Sequence, residues 1–124
     1  MNVAAAHFSA LAPEEQMARL TRLAQTGLAR YDLPGDAQVR LLNLSENATF
    51  LVEHAGSGHR SILRVHRAGY HTRGAIYSEL KWLNALDGHP AIRTAQPRPG
   101  ADGEYIQILE HPEVPGARHA VMFS

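Results

Sequence analysis

No cysteine occurs among the 124 residues, which excludes disulfide staples, thiolate metal sites and a cysteine nucleophile. Net charge is missing as well: 12 Lys+Arg balance 12 Asp+Glu, a formal charge of +0. Proteins that hold phosphate backbones or anionic membranes by bulk electrostatics carry a basic excess, so neither nucleic acid nor membrane is an expected partner. No apolar run approaches the roughly 20 residues that span a bilayer. The first twelve residues lack the basic stretch that opens a secretory signal, and a cytoplasmic location is expected. Neither a GxSxG elbow nor a Walker A loop is present.

Apolar residues make up 44% of the chain, enough for one core in one small domain. Pro13, followed by Glu14 and Glu15, marks a helix start, because proline suits the first turn and acids complement the dipole there. Met17, Leu20, Ala24, Leu28 and Tyr31 then recur at helical spacing, and Gly27 is the place for a break. After Pro34-Gly35-Asp36 the period changes to that of strands, over 39–44, 49–54 and 61–67, joined by short polar turns. Thr72 can cap a second helix, whose stripe is Ile76, Leu80, Leu83 and Leu86 and whose stop is Asp87-Gly88-His89-Pro90. The Pro/Gly-rich stretch 94–102 reads as irregular, with strands expected over 104–109 and 118–123. The expected fold is α+β: an N-terminal helical segment (1–36), then a five-stranded antiparallel sheet with one helix inserted after the third strand (37–124).

Three features carry candidate chemistry. Glu79 falls on the apolar stripe of the second helix, where a carboxylate either reaches water at the stripe's edge or needs a cation. Arg64 is the candidate partner; it alternates with Ile62 and His66 on one face of the third strand, while Leu63 and Val65 take the other. Ser45-Glu46-Asn47 forms a tight polar turn that can be a mere turn or can present N–H groups to an anion. The eight histidines are scattered without HxxxH spacing; only His54, His59 and His66 could meet across the meander, and no metal site is expected.

The run from Leu42 to Val52 resembles the first hairpin of the aminoglycoside phosphotransferase and choline kinase-like family. Ser61 to Arg67 resembles that family's third strand, Ser78 to Leu83 its inserted helix, and Gly103 to Tyr105 with His119 to Phe123 the strands leading to the inter-lobe hinge. The resemblance implies the small N-terminal lobe of a protein-kinase-like fold, which clamps ATP from above. Ser45, Glu46 and Asn47 would lie over the phosphates, and Arg64 would contact them where most kinases use lysine, with Glu79 as its ion-pair partner. Ile62 would pack on the adenine, and the segment Met122–Ser124 would line the adenine pocket. The parent enzyme would transfer the γ-phosphoryl group of ATP to a hydroxyl of an amino alcohol, an aminoglycoside, homoserine or a similar acceptor.

The catalytic Asp and the Mg²⁺ ligands of that family belong to a C-terminal lobe beyond the hinge, and none of Asp32, Asp36, Asp87 and Asp102 matches them. The 124 residues alone are therefore expected to be inactive, with no catalytic residue of their own. A free-standing, non-catalytic nucleotide- or protein-binding module is the alternative. Without a second lobe, Ile62, Val121 and Phe123 are expected to be exposed and to favour self-association.

Overall fold

The structure is a computed structural model that describes residues 3–33, 35–44, 47–54, 56, 58–66, 74–76 and 96–123. Two helices open the chain, α1 (Val3–Ala10) and α2 (Pro13–Gly27), and a single 3₁₀ turn, Leu28–Arg30, follows. Pro13 lies in the first turn of α2, and Glu15 pairs one turn on with Arg19 at 2.9 Å. Leu20, Leu23, Ala24 and Gly27 are the buried stripe of α2. The helix ends at Gly27, the place expected for a break. A Cβ on Gly27 would stand 2.5 Å from a Leu109 methyl, so this residue is the close-approach point between helix and sheet. The helix α1 was not expected; its alanines carry no strong stripe, and Phe8 alone anchors it, with the Arg118 guanidinium carbon 5.6 Å from its ring centroid.

The sheet contains β1 (Ala37–Leu44), β2 (Asn47–His54), β3 (Arg60–His66), β4 (Pro97–Arg98), β5 (Gln107–His111) and β6 (Val114–Phe123). All the pairings are antiparallel, in the order β1-β2-β3-β6, and β4 and β5 lie end to end along the other side of β6. The α+β architecture is as expected, but the sheet has six strands rather than five. The added strand, β4, falls in the proline-rich stretch read as irregular. Pro97 lacks an N–H, which hides so short an edge strand from any pattern.

The last two strands also differ in extent. The expected strand 104–109 begins only at Gln107, because Gly100 to Glu104 close a turn in which the Asp102 carboxylate accepts from the Glu104 N–H at 2.9 Å and from Gln107 Nε2 at 2.8 Å. The expected strand 118–123 reaches back to Val114 through Pro115 and Gly116. Three residues of β6 oppose one of β5 there, and Gly116 takes a φ of 78°, so Pro115 and Gly116, which fall between the two expected strands, form a bulge inside a strand.

Strand alternation gives the sheet two apolar faces. Ala48, Phe50, Val52, Leu63, Val65, Leu109, Ala120 and Met122 share one core with Phe8, Leu20, Leu23, Ala24 and Tyr31 from the helical segment. On the opposite face Ile106, Val121 and Phe123 form a smaller core with Ile62 and with Ile76. Ile76 belongs to the expected inserted helix: residues 74–76 are helical, and the rest of 72–86 lies outside the described residues.

Candidate functional site

The second face collects the candidate residues because strand pairing fixes which side chains are neighbours. Thr49, Arg64 and Val121 stand in register across β2, β3 and β6, and Leu51, Ile62 and Phe123 form the next row. Asn47 pairs with His66 one row further toward the β1–β2 turn. The alternation read from the sequence therefore holds: Ile62, Arg64 and His66 share this face, and Leu63 and Val65 lie in the helix-covered core. The result is an apolar floor of Ile62, Val121, Phe123, Ile106 and Ile76 running into a polar end of Asn47, Thr49, Arg64 and His66.

The guanidinium carbon of Arg64 lies 5.4 Å from the centroid of the Phe123 ring, within cation–π range. Asn47 Oδ1 is buried and accepts no hydrogen bond among the described residues. Ser45 and Glu46 lie outside the described residues, as do Glu79 and Ser124. The flanking strands are described: Leu44 pairs with Ala48, and Asn47 with His66, at one end of the sheet.

Two expectations change. The side chain of Met122 is fully buried in the helix-covered core opposite Leu63, so only its backbone can line a pocket on this face. Val121 and Phe123 are not exposed: they are 1% and 6% accessible, and Ile62 is half-buried, because Ile76 and Ile106 cover them. The three histidines do not gather either. His54 and His59 pack with ring centroids 5.6 Å apart at one hairpin, while His66 lies at the far end of β3. Among the described residues no three His, Asp or Glu side chains come together as a metal would need.

Sequence reasoning missed Thr49 as a neighbour of Arg64 and Ile106 as part of the floor. Thr49 meets Arg64 through the β2–β3 register, and Ile106 joins by packing with Val121 and Phe123, a contact that no local pattern announces. At the far end of the same face, Glu53 lies 3.6 Å from Arg60 and 4.0 Å from Arg40, exposed pairs that contribute little.

No protein-family model and no curated protein matches the chain. Among solved structures it is similar to "Structure of the microcompartment-associated aminopropanol kinase", at 44% identity and a TM-score of 0.71. The relative is a kinase. The match covers 83% of this chain and 30% of the aminopropanol kinase, so the chain spans under a third of that protein's length. Over the matched part the chain shares that kinase's fold, and its antiparallel sheet is consistent with a kinase-like N-terminal lobe. No helix among the described residues is long and apolar enough to cross a membrane.

Proposed function

We propose that this chain is the ATP-clamping lobe of a small-molecule kinase whose acceptor is the hydroxyl of a small amino alcohol. The observation that carries the reading is the 44% identity with an aminopropanol kinase over 83% of the chain. The site offers a nucleotide a half-buried apolar side chain, Ile62, on the same strand face as a cation, Arg64. In this reading Ile62 packs against the adenine, and Arg64 holds the α- and β-phosphates. Asn47, with Ser45 and Glu46, closes over the phosphates, and Glu79 pairs with Arg64. ATP supplies the phosphoryl group, and the base and Mg²⁺ ligands that transfer needs come from a second lobe, as in the family that the sequence resembles.

Binding without turnover is the expected behaviour of the 124 residues. Calorimetry should find ATP and ADP bound, with no ADP released from ATP in the presence of 1-amino-2-propanol. Arg64→Ala should weaken ATP about tenfold or more, the loss expected for a charged hydrogen bond to phosphate, and leave adenosine within about twofold. Equal loss for ATP and adenosine would refute the role given to Arg64. Turnover by the chain alone would refute the division of labour between lobes.

A further inference from the structure

We propose that Phe123 is a positioning residue for Arg64: its ring face holds the guanidinium flat against the floor of the site, so that the cation meets phosphate oxygens from a fixed orientation. The inference rests on the reading of Arg64 as a phosphate ligand. It starts from register. Arg64 pairs with Val121 and Ile62 with Phe123, which makes Arg64 and Phe123 diagonal neighbours on one face of adjacent antiparallel strands, a spacing that long and aromatic side chains can bridge. They do so, with the guanidinium carbon 5.4 Å from the ring centroid.

The ring is a rigid platform. Phe123 is buried among Ile62, Ile76, Ile106 and Val121, so it cannot swing to follow a mobile arginine. An arginine side chain otherwise loses considerable rotamer freedom when it binds an anion, and stacking settles part of that ordering before the anion arrives. The same contact accounts for arginine where most kinases place lysine. A planar, delocalised, weakly hydrated cation can lie on an aromatic face and still turn its N–H edge to phosphate, whereas a compact ammonium has no such edge.

Fluorinated phenylalanines of nearly unchanged shape, incorporated at position 123 of the full chain, weaken the ring's negative face in graded steps. In the free protein, nuclear magnetic resonance should show the Arg64 side-chain protons shifted upfield by the ring current. The shift should vanish in Phe123→Leu and persist in Phe123→Tyr. Inorganic tripolyphosphate affinity should fall stepwise from phenylalanine to its trifluoro form, reaching about fivefold, as a partly desolvated cation–π contact implies. Adenosine affinity should stay within about twofold, and in an Arg64→Ala background fluorination should change nothing.

An unshifted Arg64 in the free protein, or a tripolyphosphate affinity indifferent to fluorination, would overturn the positioning role. So would a fluorine effect that survives Arg64→Ala. A wild-type protein with the ring-current shift but no affinity for tripolyphosphate would instead overturn the phosphate-ligand reading beneath it, with the stacking intact.

Discussion

Single residues away from the site show which polar groups the fold leaves unmatched. The Tyr31 hydroxyl is buried and has no hydrogen-bond partner among the described residues. Burial, then the nearby Asp102 charge, pushes its pKa well above the ordinary tyrosine value. The sign follows from linkage: above about pH 10 the unfolded chain releases this proton while the folded one keeps it, so stability falls as pH rises from there. Tyr31→Phe should remove that share of the alkaline loss. At neutral pH it should be neutral or stabilising by about 1 kcal/mol in urea denaturation, because an unsatisfied hydroxyl is replaced by hydrogen. Asp102 behaves oppositely. Hydrogen bonds from the Gln107 side chain and the Glu104 N–H hold its carboxyl below the usual range, so its contribution is present above that range and lost as acid titrates the folded form. Asp102→Asn should flatten the acid limb of a stability–pH curve.

At the scale of elements, the sequence read best where period and punctuation are local. The three-strand meander, the Pro13 start of α2 and the facing of Ile62, Arg64 and His66 all follow from alternation or capping within a few residues. Illegible were α1, which has no stripe, and β4, two residues long. The bulged half of β6, whose Pro-Gly falls between the two expected strands, was illegible as well. The site divides the same way: β3 declares Arg64 and Ile62, whereas Phe123 as the neighbour of Arg64 needs the β3–β6 register, settled between segments nearly sixty residues apart. Gly27 is a case where an apparent weakness is a packing requirement. Gly27→Ala gains about 1 kcal/mol of helix propensity but drives a Cβ against Leu109, which is 2% accessible and cannot turn away. Overpacking of this kind costs about 1–3 kcal/mol, so the variant should be net destabilised by about 1 kcal/mol. In a Leu109→Ala background the sign should reverse, since the methyl group then has room.

For the whole molecule, the consequence lies in a sheet covered on both sides. Helices α1 and α2 close one face, and Ile76, from the segment after β3, closes over Val121 and Phe123 on the other. Burial of that second face makes self-association depend on the cover rather than on the strands beneath it. Ile76→Ala should cost about 2–4 kcal/mol in stability and uncover Ile62, Val121 and Phe123. Sedimentation velocity should then show concentration-dependent association in the variant and less of it in the parent chain; equal behaviour of the two would mean that Ile76 does not shield this face.

The same sheet ends in edges that resist templating. Strand β1 shifts register at Leu41–Asn43, β5 runs beside the Pro115–Gly116 bulge, and β4 is two residues long and begins with proline. A straight row of free N–H and C=O groups is what recruits a strand from another molecule, and each outer edge here is bent or cut short before such a row can form. Among the described strands these outer edges are thereby poor templates for a strand from another molecule.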